Sequence, residues 1–225
     1  MSVSKTGGDR QKRRTYLAAP DRHAQILQVA KAVFAARGYH AANVAHICDA
    51  ARIGRGTLYQ YFDNKRAVMH SLLEDVAARV KRVLDERPRV GEIPGASSAP
   101  PALIASFSRY RLRVLLDAIF QDEPTMRLLL REARGLDDAA DRIIARIDEM
   151  VLAAMEADLK AVQGMGVVRA LDARLVARFT LGGVEKMVLT AIARDEPVDL
   201  DAVAAVAVDV ELFGVLAPDS SRTHA

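Results

Sequence analysis

The chain has 225 residues, 51% of them apolar, and a single cysteine. This is enough to bury one large core or two small ones and excludes a disordered chain. Cys48 alone excludes an internal disulfide or a thiolate zinc site built by one chain, and it reads as a small core residue rather than a redox group.

No run of eighteen apolar residues occurs, and Met1 to Arg14 is polar and basic with no hydrophobic stretch behind it. The expectation is a soluble cytoplasmic protein with neither a membrane span nor a secretory leader. Net charge is only +3, but residues 1–60 carry ten Lys and Arg against three Asp, a local balance of +7 that leaves −4 on the remainder. That asymmetry places a polyanion at the N-terminal end, with DNA or RNA as the first candidate.

Apolar residues recur at three and four throughout, with no alternating stretch, so the chain reads as all-α with about nine helices. The first helix opens after Pro20 with Asp21 as cap, buries Ile26, Ala30, Val33 and Phe34, and stops at Gly38. Asn43 caps a second, short helix whose Val44, Ile47, Cys48 and Ala51 form one stripe. A third is expected from Gly54 or Arg55 to Phe62, with Leu58 and Phe62 facing inward. A long fourth helix spans 65–86 and ends before Pro88. The segment 87–101, rich in Pro, Gly and Ser, reads as a loop, and further helices are expected at 102–121, 124–134, 137–163, 172–193 and 199–216.

The second and third helices, joined by a three-to-four-residue turn, have the arrangement that sets one helix across a DNA backbone and the next in the major groove. On the outward face of the third, Arg55 and Gln60 can hydrogen-bond base edges. Gly56 lets the backbone come close, and Thr57 can meet a phosphate or a thymine methyl. Tyr59, Tyr61 and Lys65 end in donors for flanking phosphates. Each of these taken alone also fits a packing residue or a solvated charge. The basic arm Arg10 to Arg14 fits either a minor-groove insertion or, the favoured reading, a solvated tail.

The segment Ala30 to Met69 resembles the DNA-binding segment of TetR/AcrR-type regulators, which pairs F-x-x-x-G-Y/F with G-T-L-Y-x-Y-F-x-x-K. The matching positions are Phe34, Gly38, Tyr39, Gly56, Thr57, Leu58, Tyr59, Tyr61, Phe62 and Lys65. The resemblance implies that Arg55, Gly56, Thr57, Tyr59, Gln60, Tyr61 and Lys65 lie at the DNA while Leu58 and Phe62 hold the core. Two positions depart from it: Ala42 and Gly54 stand where the family often has Thr and Ser. Asn43 can replace the first as cap and phosphate donor, whereas Gly54 offers no side chain.

The resemblance also implies a basic arm over 1–19, a helix-turn-helix domain over 20–66, a helical effector-binding and dimerisation domain over 67–216 and a tail over 217–225. The implied function is a ligand-responsive transcriptional regulator, a repressor, that binds a (pseudo)palindromic operator and is released by a small molecule. Homodimerisation would use helices 172–193 and 199–216, where Ala177, Leu181, Val184 and Val188 on one and Val203, Val206, Val210 and Phe213 on the other form apolar faces around Gly182–Gly183. An apolar or amphipathic effector would sit among Phe107, Tyr110, Phe120, Met126, Leu130, Arg131, Ile147, Met150 and Val151, which also fit an ordinary core. Arg109, Arg113, Arg127 and Arg131 are candidates to meet an anionic group, or to pair with nearby acids.

An enzyme is disfavoured. No nucleophile elbow, P-loop or HExxH occurs, so no catalytic residue, cofactor or metal is expected. His70 and Glu74, four apart, read as a solvated pair rather than as metal ligands. The alternative is a helical adaptor or an RNA-binding protein using the basic end.

Overall fold

The computed structural model describes residues 19–92 and 95–214; the basic arm Arg10 to Arg14 and the 217–225 tail lie outside them. Among the described residues there are nine α-helices and no strand: α1 (Ala19–Arg37), α2 (Val44–Ala51), α3 (Arg55–Tyr59), α4 (Lys65–Glu86), α5 (Pro101–Phe120), α6 (Glu123–Glu132), α7 (Asp138–Gly164), α8 (Ala173–Ala193) and α9 (Leu200–Phe213). None of these is long and apolar enough to cross a membrane.

Local chemistry sets the boundaries. The Asn43 side chain accepts from the His46 N–H at 3.0 Å, and His46 Nδ1 accepts in return from the Asn43 N–H, a reciprocal box that starts α2. The side chains of Asn64, Asp122, Asp137, Asp172 and Asp199 accept from first-turn backbone N–H groups and so cap α4, α6, α7, α8 and α9, without the return bond. Gly38 ends α1 at φ +75°, the left-handed conformation that glycine adopts without strain.

Two elements differ from the sequence reading. Helix α3 stops at Tyr59 rather than Phe62, because the N–H groups of Tyr61 and Phe62 both turn back to the Leu58 carbonyl, at 2.9 and 3.0 Å, to bury the Phe62 ring. The 87–101 segment is not a plain loop: it winds into 3₁₀ turns at Val90–Glu92 and Ala96–Ser98, and Val90 is buried against α7 in a cluster with Ile104, Leu159 and Val162. Val90, with the small Ala96 and Ala99, anchors the segment, and residues spaced in this way among Pro and Gly have no helical periodicity to reveal them.

Helices α1 to α3 form a small unit around Ile26, Phe34, Ile47, Leu58 and Phe62. Its core runs without a break through Val68, Met69 and Leu72 of α4 to Leu128 and Leu129 of α6 and Val151 of α7. Beyond it, α4 packs on α5 and α7, α7 on α8, and α5 and α8 on α9, while α6 touches both α1 and α5.

Candidate nucleic-acid interface and ligand cavity

Helices α2 and α3 meet through Arg52, at φ 55°, and Gly54, which caps α3 without a side-chain bond. Leu58 and Phe62 are buried, which turns the other side of α3 outward. Arg55, Gly56 and Gln60 are exposed, Tyr59 is 51% exposed, Thr57 is half-buried, and all five lie on one outward stretch. Tyr61 is half-buried with its ring 6.4 Å from that of His23. Asn43 is exposed at the start of α2, its oxygen used by the cap.

Lys65 is placed differently from the expected phosphate contact. Its Nζ donates to the carbonyls of Tyr39 at 2.7 Å, Ala42 at 2.9 Å and His40 at 3.3 Å, and sits 4.2 Å from the Tyr39 ring centroid. All three ammonium hydrogens are engaged in closing the α1–α2 turn. Burial pushes its pKa down.

Gly56 carries a specific implication. A Cβ built there meets nothing within 4 Å, so no internal packing calls for glycine. Gly56→Ala is therefore expected to leave stability unchanged or raise it by up to about 1 kcal/mol. If a DNA backbone approaches this point, the same change lowers duplex affinity. A thermal melt and a duplex titration on one sample check both halves, and a destabilised variant would contradict the first.

In the C-terminal helices an apolar cavity of about 140 Å³ lies between α4, α5, α6, α7 and α8. Phe120, Met126, Leu130, Ile147 and Val151, five of the nine residues named as candidates to surround an effector, line it. Four expected residues do not. Tyr110 is 65% exposed, Phe107 belongs to the Val90–Ile104 cluster, and Met150 faces a separate groove. Arg131 is exposed and donates to the Ile192 carbonyl. The reading missed the walls that α4 and α8 supply, Leu73, Val76, Leu181, Val184 and Val188.

Two walls of the cavity are also the seams to the α1–α3 unit. Helix α4 carries Leu73 and Val76, and α6 carries Met126, Leu129 and Leu130 while its ends hold α1 and the α1–α2 turn through Lys31–Asp122 at 3.2 Å and His40–Glu132 at 3.0 Å. His70 of α4 meets Asp137 at the start of α7 at 2.9 Å, and Glu74 pairs with Arg146, so these two are not joined as a metal pair. Among the described residues no group of three or more His, Cys, Asp or Glu is placed to hold a metal.

The arginines expected to meet an anion are engaged within the protein: Arg109 with Asp209, Arg113 with Asp117 and Asp201, Arg127 with Glu123. A different one, Arg111, is 4% exposed on α5, and it shares the Asp158 carboxylate with Arg87. Glu211 of α9 lines a small space beside them, hydrogen-bonded to Thr180. Burial pushes its pKa up from 4.5 to about 7. A raised carboxyl pKa gives stability that is complete below about 4.5 and is lost as pH climbs to about 7. Glu211→Gln should therefore melt with the parent in acid and be more stable at about pH 8, by on the order of 3 kcal/mol. Equal melting at the higher pH would contradict this.

Cys48 is buried, and burial raises its thiol pKa, as suits a core residue. Of the α8 and α9 residues expected to pair subunits, Val206 and Phe213 are exposed. Ala177, Val184, Val188 and Val203 are buried within the subunit. The other outward residues are Leu175 and Phe179, the latter 70% exposed, with Gly182 and Gly183 on α8 and Leu171 just before it.

The α1–α3 helix-turn-helix unit is joined through α4 and α6 to a helical bundle that holds the apolar cavity. Residues 26–72 match the model of the bacterial regulatory proteins, tetR family. The chain is 24% identical over 195 residues to the fatty acid metabolism regulator protein of Bacillus subtilis, covering 86% of this chain and 95% of that protein. The solved structure of the transcriptional regulator FadR from B. subtilis in complex with stearoyl-CoA aligns with a TM-score of 0.59 and 23% identity, over 86% of this chain and all of that one. SmeT, the repressor of the Stenotrophomonas maltophilia multidrug efflux pump SmeDEF, aligns with a TM-score of 0.64 and 22% identity, over 88% and 94% of the two chains.

Proposed function

We propose that the protein is a non-enzymatic, cytoplasmic repressor that binds a two-fold DNA operator as a homodimer through residues 20–66 and releases it when an apolar or amphipathic molecule enters the cavity of residues 67–216. The observation that carries this reading is the shared wall: α4 and α6 border the cavity and also grip the α1–α3 unit. Arg55, Gly56, Thr57, Tyr59 and Gln60 are taken as the groove-reading set, with Asn43 and Tyr61 at flanking phosphates. Lys65 is assigned to holding the turn rather than to phosphate.

The size of the cavity supports the release step. A cavity of roughly 150 Å³ takes a benzene ring, and this one is about 140 Å³, so a longer aliphatic chain has to push its walls apart. Because two walls are domain seams, that displacement changes how the two reading units are set, and a ligand shifts the equilibrium by its preference for the opened state. The stearoyl-CoA complex of the similar FadR fold favours an acyl chain as the occupant.

Dimerisation is supported by the outward apolar residues of α8 and α9. A Cβ at Gly182 or Gly183 meets nothing within 4 Å inside the subunit, so two helix glycines, each costing about 1 kcal/mol relative to Ala, have no internal reason to be there. A second copy packed closely on this face supplies one.

The test is selection from randomised duplex DNA followed by titration of the winning duplex, a scrambled duplex and a matching RNA across salt, with Tyr59→Ala beside the parent. The expected result is a two-fold-symmetric site, steep salt dependence and at least tenfold weaker binding by the variant. Equal binding to all three nucleic acids would overturn the reading in favour of a general polyanion binder.

A further inference from the structure

Arg111 lies on the apolar stripe of α5 that carries Ile104 and Leu115, with the Phe107 ring centroid 5.5 Å from its guanidinium carbon. Its Nη2 is 2.7 Å from Asp158 Oδ2, and Nη2 of Arg87 reaches the same oxygen at 3.2 Å. The buried guanidinium of Arg111 and the half-buried one of Arg87 thus share one carboxylate, and the Arg111 Nε–H is buried with no acceptor among the described residues. Arg87 has its pKa lowered to about 10, by burial first and then by Arg111, and so stays charged at neutrality, while Asp158 is the one carboxylate paired with either guanidinium group among the described residues. Glu211, raised to about 7, is partly neutral there and does not supply a full negative charge.

The position of the cluster gives it a use. Arg87, Arg111 and Asp158 wall two spaces, an inner one of about 60 Å³ and an outer groove of about 330 Å³. The inner space shares Leu112, Leu115 and Met155 with the apolar cavity. The outer groove adds Arg89, which forms no ion pair among the described residues, and Lys81, which pairs with Asp85. An apolar cavity, a cationic neck and a basic outer groove follow one another.

We propose that Arg111 and Arg87 form an anion subsite at the end of the apolar cavity, so that the ligand is an aliphatic chain bearing an anionic headgroup, a carboxylate or a phosphate, and not a neutral hydrocarbon. The headgroup accepts from Arg111 Nε and competes with Asp158 for the two guanidinium groups, and phosphates further out meet Arg89. This rests on the reading of the apolar cavity as the effector site.

Calorimetric titration of the full chain with dodecanol, laurate and lauroyl-CoA tests it. At least one of the two anions should bind ten or more times more tightly than dodecanol. Arg111→Met should abolish that preference while keeping dodecanol affinity within twofold, which also shows that the variant is folded. Preference for lauroyl-CoA over laurate, lost in Arg89→Ala, marks a phosphate headgroup; equal binding with no Arg89 effect marks a carboxylate. Should Arg111→Met not fold, Asp158→Asn decides, because removing the competing carboxylate should tighten anion binding more than fivefold. Dodecanol binding as well as both anions, or Asp158→Asn binding them no better than the parent, overturns the subsite alone. If none of the three ligands binds, the reading of the cavity falls with it.

Discussion

Lys65→Met is expected to lower the unfolding free energy by about 3 kcal/mol and to leave the salt dependence of DNA binding unchanged. Three carbonyls, those of Tyr39, His40 and Ala42, lose a shared charged donor, and hydrogen bonds to charged groups contribute about 1.5–3 kcal/mol each at most sites. The Tyr39 ring loses its cation as well. A phosphate-contacting lysine would behave in the opposite way: a fold of normal stability, and a salt slope reduced by about one. Denaturant unfolding together with a salt series on the same variant separates the two roles. Normal stability with a reduced slope would return Lys65 to the DNA.

Phe179→Glu is expected to convert the protein to a monomer and to lower operator affinity at least a hundredfold with little change in stability. Phe179 is 70% exposed, so its own subunit gains little from the ring, and Leu175 one turn earlier is exposed beside it. A carboxylate placed opposite its two-fold mate would have to be buried without a partner, which costs several kcal/mol. Loss of the second half-site then follows, since one reading unit alone makes few base contacts. Sedimentation of the variant at micromolar concentration gives the subunit count. A dimer with undiminished operator affinity would place the interface elsewhere.

The legible parts of the sequence were those with local chemistry. Gly38, Asn43 and Pro88 announce the ends of α1, the start of α2 and the end of α4, because capping and the missing proline N–H act within one turn of chain. The inward role of Leu58 and Phe62 follows from their one-turn spacing beside the Gly-Thr pair.

What was not legible depends on which helix covers which face. Helix α8 is apolar on two sides, Ala177, Val184 and Val188 on one and Leu175 and Phe179 on the other, and periodicity does not say which side meets the rest of the subunit. The same uncertainty hid Leu73 and Val76 of α4 as cavity walls. Arg111 did leave a signal, a charge on the stripe of Ile104 and Leu115, where a solvated arginine does not belong. Lys65 left none, since its three acceptors are backbone carbonyls more than twenty residues away.

The central claim is that the cavity and the DNA-reading face are coupled through α4 and α6. It is tested most directly by the affinity of the full chain for its selected duplex, measured by fluorescence anisotropy without ligand and with saturating lauroyl-CoA. Weakening by tenfold or more, with the same ratio recovered as a loss of lauroyl-CoA affinity when the duplex is saturating, is the predicted result. Lauroyl-CoA that binds the protein yet leaves duplex affinity unchanged would contradict it.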